Sequence, residues 1–504
     1  MEAGRSDGGL SRSRHGFTQD HGNTGEILKT WRIAIVGGGP GGLFTAWRLR
    51  EQVRSPCMIT IFEATPRLGG KVQTRRFAHA GVPYEAGAAE LYDYSLLGED
   101  PLKDLVLALG LSISPMGGSA VLWEGHLLSH LDDVESHLGL AVRRDLEEFD
   151  RRAVDALGPR DFFEADLLQN HALRHWPGPF TQRLDSVSHP AARRYLRTLI
   201  HSDLAAEPGQ TSIPYGLHNY LMNRPEYLRL YSIVGGNERL IDALVERLDA
   251  EIRLSHRVMA ISANSGGSYT LALQSETSTG TASRMSADFD FVIVALPNPV
   301  LPSLEFHGED VRQAIGRHQK HHAHPAHYLR MTLLFERPFW RTVLRESFCM
   351  LDQFDGCCLY DESSRNPVVE EGVLGWLLGG DAAPELDSKS DAELIELAME
   401  TLPAQLKDMA RDQFREGRVH RWQSEVSALP GGWDQWSLDR RHQPAPHEAP
   451  GLFLVGDYLF DSTLNGVLDS ADHVAGWIAS LIEDASPPRK STPKHLSAPL
   501  EHPR

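Results

Sequence analysis

The alternation of apolar and polar residues near the start of the chain predicts a strand, a helix and a second strand in close succession. Residues 32–36 form a short apolar run rich in β-branched side chains, as expected for a buried parallel strand. Residues 43–53 carry apolar side chains at helical spacing, and residues 58–62 form a second apolar run. Together these patterns predict a β-α-β unit in a parallel sheet.

A glycine-rich turn joins the first strand to the helix. Gly37, Gly39 and Gly42 fill the spacing G-x-G-x-x-G, with Pro40 and Gly41 between the last two glycines. The first glycine permits a tight turn, the second lets a pyrophosphate approach the backbone, and the third lets the helix pack closely on the strand. The N–H groups and the dipole at the helix start favour phosphate oxygens. The turn therefore predicts a dinucleotide site, although such turns also occur without a ligand.

Glu63 ends the second strand, where an acid can accept hydrogen bonds from the ribose of a dinucleotide. A carboxylate at this position favours a ribose without a phosphate group. The sequence therefore predicts FAD or NAD rather than NADP.

The turn after the second strand contains two basic residues and two glycines. In the segment that begins at Ala64, Arg67 and Lys71 flank Gly69 and Gly70. Positive side chains beside a dinucleotide fold can balance a pyrophosphate, and glycines allow close approach of the backbone. The alternative is two solvated charges in an ordinary turn.

The rest of the chain alternates between helical and strand-like segments. Helical periodicity prevails from residue 100 to about 230 and is clearest at residues 132–154 and 191–203. Later segments have the short apolar or alternating pattern of strands. They are residues 252–254, 256–261, 269–273, 289–297, 330–335, 349–360, 373–379 and 451–455, with a predicted helix at residues 391–402 before the last of them.

Composition narrows the classes of function. The 504 residues are enough for two or three domains. The formal net charge of −18 argues against nucleic acid or an anionic membrane as a partner. The first 30 residues lack the apolar core of a signal peptide, and no apolar run is long enough to span a bilayer. The four cysteines include no C-x-x-C pair and indicate neither a zinc site nor a disulfide framework, so we expect a cytoplasmic protein.

A histidine-rich stretch is the one candidate for a metal site. It contains His318, His321, His322, His324 and His327. Residues 320–325 have the pattern of an exposed loop, and no acid or cysteine completes a ligand set. We therefore predict no metal.

Taken together, the glycine fingerprint, the terminal acid and the segment Arg67-Leu68-Gly69-Gly70-Lys71 resemble the flavin-containing amine oxidase superfamily. This group includes monoamine, polyamine and L-amino-acid oxidases and is related to phytoene desaturases and protoporphyrinogen oxidases. Lys71 stands where most members have arginine, which keeps the charge. Matching segments continue in the family's order from residue 32 to the helix after residue 471.

The resemblance implies an α/β fold with a discontinuous Rossmann-like FAD-binding domain (GR2-type) and an inserted α+β substrate domain. The FAD-binding domain would comprise residues 31–99, 232–300 and 431–485, and the substrate domain residues 100–231 and 301–430. The polar composition of residues 1–30 and 486–504 predicts disordered tails.

The resemblance also assigns further residues to the cofactor. The segment with Gly87, Ala88 and Ala89 is similar to the one that passes beside the flavin ring. The other implied contacts are the backbone of Val258 with adenine, Asp457 of the Gly456-Asp457 pair with a ribityl hydroxyl, and the N–H groups of Gly466 and Val467 with the pyrimidine edge of the flavin. No cysteine lies between residues 419 and 433, so we expect FAD to be held non-covalently.

Three residues are predicted near the substrate. Glu90 stands where many L-amino-acid oxidases have an arginine for the substrate carboxylate; an acid there could hold an ammonium group or simply face water at the rim. Arg330 stands where the family has a lysine near flavin N5 that is implicated in reoxidation, and it is the candidate catalytic residue. It could equally pair with a substrate anion or be a structural cation. Trp433 is a candidate wall of an aromatic cage, or a packing side chain.

The expected function is oxidation of a C–N bond. A small amine or amino acid would pass a hydride equivalent to flavin N5 and become an imine, and O2 would reoxidise the flavin and yield peroxide. Glu90 favours a basic amine. Two alternatives stay open: a desaturase or porphyrinogen-type oxidase acting on C–C bonds, suggested by Gly456-Asp457-Tyr458, and a flavin-binding protein without turnover. The oligomeric state is also left open, with a homodimer among the choices.

Overall fold

The structure is a computed structural model that describes residues 29–164, 178–276, 282–366, 369–431, 433, 435–460 and 462–485. The two predicted tails lie outside the described residues, apart from residues 29 and 30.

Strands and helices alternate along the described chain. The strands are β1 (Trp31–Val36), β2 (Cys57–Phe62), β3 (Thr74–Arg76), β4 (Pro83–Glu85), β5 (Leu91–Asp93), β6 (Ile113–Met116), β7 (Val121–Trp123), β8 (His126–Leu128), β9 (Arg229–Ile233), β10 (Glu251–Arg253), β11 (His256–Ala263), β12 (Tyr269–Glu276), β13 (Ala282–Phe289), β14 (Phe291–Val294), β15 (Glu305–His307), β16 (Pro325–Phe335), β17 (Phe348–Leu351), β18 (Cys357–Asp361), β19 (Gly372–Gly379), β20 (Phe414–Ser427) and β21 (Leu452–Leu454). The helices are α1 (Pro40–Gln52), α2 (Pro101–Ala108), α3 (Leu131–Leu138), α4 (Leu140–Ala156), α5 (Pro159–Glu164), α6 (Thr181–Asp185), α7 (Pro190–Leu204), α8 (Ile213–Leu221), α9 (Glu238–Arg247), α10 (Glu309–His321), α11 (Ala382–Glu385), α12 (Asp391–Glu400), α13 (Ala404–Gln413), α14 (Leu438–His442) and α15 (Leu464–Asp484).

The first large sheet is parallel. Its five strands have the order β10-β2-β1-β14-β21. The central strand β1 pairs in parallel with β2, where Ile33 faces Ile59, and with β14, where Ile33 faces Phe291. One face joins an apolar cluster with α1 and α15, while Ala34 and Val36 join a second cluster on the other face. Because both faces of the sheet centre are covered, residues 33–36 of β1 and all of β14 are buried. The predicted β-α-β unit and the α/β class are confirmed.

The second large sheet has seven strands in the order β20-β16-β19-β18-β17-β7-β8. The long strand β16 lies antiparallel between β19 and β20. A bulge places residues 423–425 of β20 opposite His327 alone, and Ser424 within it has a φ of 61°. Bulges bend a strand and redirect its side chains. Smaller sheets have the orders β13-β12-β11-β15, β5-β9-β6 and β3-β4.

The structure corrects two predicted elements. Residues 132–154 form α3 and α4 instead of one helix, because Gly139 between them has a φ of 94°. The histidine-rich stretch is not an exposed loop: α10 extends to His321, and both His318 and His322 are buried. The ring of His321 stacks on Trp436 with 4.1 Å between centroids. This partner is distant in the sequence, so the local polar pattern gave no sign of burial.

All four cysteines are free thiols, and three of them are buried. Within the described ranges, no helix combines the length and the apolar character needed to cross a bilayer.

Candidate active site

The carboxyl ends of the parallel strands open onto one cavity of about 950 Å³. Strands β1, β2, β14 and β21 lead into it, at Gly37, Glu63, Ala295 and Gly456 respectively. The carboxyl edge of a parallel sheet is the usual place for a ligand in α/β folds. The cavity continues to the second large sheet, whose strands β16, β18, β19 and β20 form its far end.

Most residues predicted to bind the cofactor line this cavity. They are Gly37, Gly39, Pro40, Gly41, Glu63, Ala64, Arg67, Gly70, Lys71, Gly87, Ala88, Ala89, Val258, Gly456, Asp457 and Val467. Gly42, Gly69 and Gly466 are outside its lining. The fold thus brings residues from distant segments to one site, and their contacts with a ligand stay a prediction.

Close backbone contacts shape the glycine turn. Gly37 has a φ of 112°, and a Cβ atom there would lie 2.4 Å from the carbonyl oxygen of Ala295. A Cβ atom at Gly42 would lie 2.0 Å from the carbonyl oxygen of Gly37. Gly42 therefore serves the packing of α1 on the turn, as expected of the third glycine, and not contact with a ligand.

Backbone N–H groups hold Glu63 at the end of β2. Its Oε2 accepts a hydrogen bond from the Gly38 N–H at 2.8 Å, and its Oε1 accepts from the N–H and hydroxyl of Thr65 at 2.9 and 2.7 Å. A carboxylate has roughly four acceptor sites. At least one therefore remains for a ribose hydroxyl.

Arg67 is engaged within its own turn. Its guanidinium donates to the carbonyl oxygen of Leu68 at 2.6 Å and to that of Gly70, and it pairs with Glu238 at 3.4 Å. Arg67 therefore shapes the turn that carries Gly70 and Lys71 to the cavity, and its Nε–H and one Nη2 hydrogen stay available to a pyrophosphate.

Lys71 and Asp457 join two distant parts of the cavity wall. The Lys71 Nζ donates to Asp457 Oδ2 at 2.7 Å and to the Glu425 carbonyl oxygen at 2.5 Å. Both charged side chains remain partly exposed, at 29% and 17%. A positive and a negative group thus stand side by side, suited to a phosphate oxygen and a sugar hydroxyl of one ligand.

Small residues and an indole ring form a flat part of the wall. A Cβ atom at Gly87 would lie 1.8 Å from the carbonyl oxygen of Lys71, so only glycine fits there. Trp422 donates from Nε1 to the carbonyl oxygen of Ala86 at 2.8 Å, which fixes the indole beside Gly87. With Ala88 and Ala89 also in the wall, this surface can accept a planar ring.

The start of α15 corrects one predicted contact. The Gly466 N–H donates to the Thr463 hydroxyl at 2.9 Å, and the Val467 N–H donates to the Thr463 carbonyl oxygen at 3.1 Å. These donors are used within the helix. The first two N–H groups of a helix have no partner inside it, and here they belong to Leu464 and Asn465, which both line the cavity. The positive end of the dipole therefore reaches the cavity through these two residues.

The far end of the cavity is acidic and aromatic. Glu90 lies there with Tyr92, Tyr328 and Tyr360, and the Tyr360 hydroxyl donates to the Glu90 carboxylate. Burial raises the pKa of Glu90, while this hydrogen bond and two nearby guanidinium groups oppose the rise. Glu90 is therefore a deep carboxylate and not a rim acid that faces water.

A second carboxylate, which the sequence did not reveal, lies close to Glu90. Burial, and after it the charge of Glu90, raises the pKa of Asp203 to about 8. The Asn223 side chain donates to Asp203 at 3.3 Å. Two acids so placed cannot both ionise easily, so a cation between or beside them would be favoured.

Arg330, the predicted catalytic residue, is among the residues that line the far end of the cavity. Its side chain is 1% exposed and donates to Glu362, which also pairs with Arg365 at 3.2 Å. Burial opposes the charge of Arg330, but Glu362 keeps its pKa above the usual value. Its guanidinium carbon lies 5.3 Å from the centre of the Tyr360 ring. The pairing with Glu362 suits a structural cation, but Nε and Nη1 of Arg330 have no hydrogen-bond partner within the described residues, so the role as partner of a substrate anion stays open.

The structure does not support Trp433 as a wall of an aromatic cage at the site. This residue does not line the cavity; its Nε1 donates to the His321 carbonyl oxygen at 3.1 Å, and its ring packs against His322 and His324. The indole that does reach the cavity is Trp422, which lies beside the bulge of β20.

The buried histidines are not arranged as a metal site. No three histidine, cysteine, aspartate or glutamate side chains within the described ranges form a group that could hold a metal ion. Burial lowers the pKa of His318 to about 3, so the ring is neutral.

Tyr92, Tyr328 and Tyr360 were not singled out from the sequence. One signal could have found Tyr328: it stands two residues before Arg330 on β16, and alternate residues of a strand share a face. No comparable signal marks Tyr360 or Asp203, whose proximity to Glu90 depends on the tertiary fold.

The sequence model of the flavin containing amine oxidoreductase family matches residues 40–479, most of the chain. The protein belongs to this family. It is therefore a flavin-dependent oxidoreductase. Three features of the cavity suit a flavin nucleotide: the glycine-lined start of α1, the acid at the end of β2 and the flat wall of small residues.

Two curated relatives span nearly the whole chain. Polyamine oxidase 4 of Oryza sativa subsp. japonica is 27% identical over 468 residues, which cover 88% of this chain and 84% of that protein. The flavin-dependent L-tryptophan oxidase RebO of Lentzea aerocolonigenes is 23% identical over 487 residues, which cover 87% of this chain and 96% of that protein. Among solved structures, putrescine oxidase bound to putrescine has the same fold, with a TM-score of 0.64 and 17% identity over 90% of this chain and 99% of that one.

Proposed function

We propose that this protein is an FAD-dependent oxidase of basic amines, which converts the C–N bond of its substrate to an imine and passes the electrons to O2. The observation that carries the proposal is the deep carboxylate of Glu90, which lies among tyrosines with Asp203 nearby. The enzyme class follows from the family; the amine substrate, FAD and O2 are the proposed parts.

The five-stranded parallel sheet would be the Rossmann-like core of a discontinuous FAD-binding domain. The start of α1 at Gly39 and Gly41 and the ammonium of Lys71 would face the pyrophosphate, and Glu63 would accept from the adenosine ribose. Asp457 would accept from a ribityl hydroxyl. No cysteine is among the residues that line the cavity, in keeping with non-covalent binding.

A basic amine enters the site as a cation at neutral pH. The Glu90 carboxylate would accept its N–H groups, and their attraction is stronger here than at the surface because the site is buried. Tyr92, Tyr328 and Trp422 also line the cavity, and aromatic rings attract a cation that approaches their faces. These residues would position the carbon that carries the nitrogen and exclude water from it. The ammonium would first give one proton to the Glu90 carboxylate, because only the neutral amine can lose a hydride from that carbon. When bound, the flavin accepts this hydride equivalent.

An amino acid is a poorer fit to this end of the cavity. Its carboxylate would require a cation close to Glu90. The guanidinium groups nearest Glu90 belong to Arg330 and Arg365, and both are already paired with Glu362. A carboxylate brought beside Glu90 would therefore meet a like charge, and the two guanidinium groups near it already share one acid.

The test is a substrate panel on the purified yellow protein. Putrescine, spermidine, cyclohexylamine, L-tryptophan and a porphyrinogen are added without oxygen, and bleaching of the flavin is followed; peroxide is then measured in air. We expect bleaching and peroxide with one or more amines. Bleaching by the amino acid or the porphyrinogen alone would refute the amine assignment, and a colourless protein that takes up no FAD would refute the cofactor.

A variant pair tests the role of Glu90. Glu90→Gln should retain FAD and its spectrum but raise the KM for the amine about tenfold or more, because a charge-assisted hydrogen bond is lost. Glu483→Gln, at an exposed position of α15, is the matched control and should leave the KM unchanged. An unchanged KM in Glu90→Gln would exclude Glu90 as the amine partner.

A further inference from the structure

Two guanidinium groups pack over the ring of Tyr360. The guanidinium carbons of Arg330 and Arg365 are 5.3 and 5.4 Å from the centre of its ring. Cations at this distance over an aromatic face are attracted to it, more strongly when both are removed from water. The ring of Tyr360 is itself fully buried in β18. Its orientation is therefore fixed by its two charged neighbours.

Glu362 holds the two guanidinium groups in place. It accepts from Arg330 through one carboxylate oxygen and pairs with Arg365 through the other at 3.2 Å. Gly375 on the adjacent strand makes room for this pair, since a Cβ atom there would lie 2.8 Å from Glu362 Oε1 and 3.4 Å from Arg330 Nη2. The arrangement is a packed cluster with a defined geometry and not a chance contact at the surface.

The same cluster reaches Glu90 by two routes. Arg365 donates from Nη1 to the carbonyl oxygen of Ala89 at 2.7 Å, which fixes the backbone directly before Glu90. Tyr360 donates its hydroxyl hydrogen to the Glu90 carboxylate. Both Tyr360 and Glu90 line the cavity, whereas Glu362 does not.

We propose that Tyr360 is a positioning residue that aims the Glu90 carboxylate at the nitrogen of the substrate, and that Arg330 and Arg365 act by holding Tyr360. The part of this inference that concerns the substrate rests on the proposed amine oxidation. The part that concerns the contact between Tyr360 and Glu90 does not depend on any substrate.

The charged groups around Glu90 predict how the Tyr360 hydroxyl affects the pKa of the Glu90 carboxyl group. Glu90 faces the guanidinium groups and Glu362 of the cluster, the hydroxyl of Tyr360, and the carboxyl group of Asp203. Tyr92 and Cys358 also adjoin it, and burial keeps both neutral by raising their pKa values well above the usual range. Loss of the Tyr360 hydroxyl removes one group that stabilises the charged form of Glu90, and every other neighbour is retained.

The experiment measures the ionisation of Glu90 directly in the FAD-loaded protein without substrate. Infrared difference spectra recorded across a pH series follow the carbonyl stretch of protonated carboxyl groups, and the band that Glu90→Gln removes belongs to Glu90. In Tyr360→Phe, which keeps the ring and both cation contacts, we expect the midpoint of this band to move up by about one pH unit, the size of a hydrogen bond to a charged group.

Tyr227→Phe is the matched control. Tyr227 is equally buried, and its hydroxyl donates at 2.9 Å to the Leu157 carbonyl oxygen, away from the cavity lining. Its loss should leave the Glu90 midpoint where it is. The same midpoint in Tyr360→Phe and the unmodified protein would overturn the proposal, and so would an equal shift in Tyr227→Phe.

Kinetics with an amine supply the second readout. Tyr360→Phe should raise the KM about tenfold, leave kcat nearly unchanged and move the acidic limb of kcat/KM to higher pH. In the Glu90→Gln background the same change should have little further effect on KM, because the carboxylate that Tyr360 positions is already absent. Equal, additive losses in both backgrounds would refute the positioning role. If the infrared midpoint moves but no amine reduces the flavin, the contact is upheld and the proposed function is the part that fails.

Discussion

The buried carboxyl group of Glu85 offers a quantitative test of the packing behind the cavity wall. This carboxylate is 2% exposed at the end of β4, next to the small-residue segment of the wall. It accepts hydrogen bonds from the Asn237 N–H at 2.9 Å and from the Thr74 hydroxyl at 3.1 Å, and thereby ties three segments together. Burial raises its pKa from 4.5 to about 7. Glu85→Gln keeps the shape and one acceptor but removes the titration.

The sign of the effect follows from the order of the two pKa values. Between pH 4.5 and about 7 the unfolded chain has released the Glu85 proton and the folded protein has kept it. The protonated Glu85 side chain therefore favours the folded state at low pH, and its contribution to the free energy of unfolding is complete below pH 4.5. This contribution decreases as the pH rises and is lost above about pH 7. Between pH 5 and 8 the loss is about 2–3 kcal/mol, which for a chain of this length is about 2–3 °C in Tm.

Thermal unfolding followed by far-UV circular dichroism at pH 5 and pH 8 measures this loss. The Tm of Glu85→Gln relative to the unmodified protein should rise by about 2–3 °C between the two pH values. Glu483→Gln, an exposed control, should show no such change with pH. A Tm difference for Glu85→Gln that is the same at both pH values would show that Glu85 is not held neutral by burial.

Three further substitutions test single contacts. Gly42→Ala places a methyl group 2.0 Å from a backbone oxygen and should lower the flavin-to-protein absorbance ratio severalfold, whereas Gly266→Ala, where a Cβ atom meets nothing within 4 Å, should not. Lys71→Met should weaken FAD binding to the apoprotein about tenfold and reduce its salt dependence, as measured by quenching of flavin fluorescence, because a charge-assisted contact is lost. Trp422→Phe should change the KM for substrate and the flavin spectrum, and Trp433→Phe should change neither; the reverse result would mean that the cavity is wrongly assigned.

The sequence predicts best where the chemistry is local. Strand, glycine turn, helix and terminal acid follow one another within residues 32–63, and the structure places Gly37, Gly39 and Glu63 in one cavity as expected. The sequence predicts less well where a contact is set by tertiary packing. Of the two roles predicted for Trp433, the structure supports packing and not the cage wall, and its partners, the histidines at the end of α10, lie more than one hundred positions away in the chain.

The positions of helix ends and helix caps explain the remaining differences between the predicted and the observed elements. Gly466 and Val467 are at the start of the predicted helix, but Thr463 caps it and uses their N–H groups, so the free donors are two positions earlier. The motif indicates that a helix begins near the flavin and does not say which residue is its cap. Likewise, Gly139 could have been read as a helix break, since a glycine in that segment costs helical stability.

The two departures from the family pattern, Glu90 and Arg330, are best understood as one arrangement. A buried charge is costly unless it is paired, and an uncompensated one costs more than any single hydrogen bond returns. Arg330 and Arg365 contribute two positive charges and Glu362 one negative charge, which leaves one positive charge behind Tyr360. The carboxylate of Glu90 balances it through the Tyr360 hydroxyl. Where burial keeps Glu85 neutral, an arginine at position 90 would leave three guanidinium groups around Glu362 alone, so an acid at position 90 lowers the cost of burying Arg330 and Arg365.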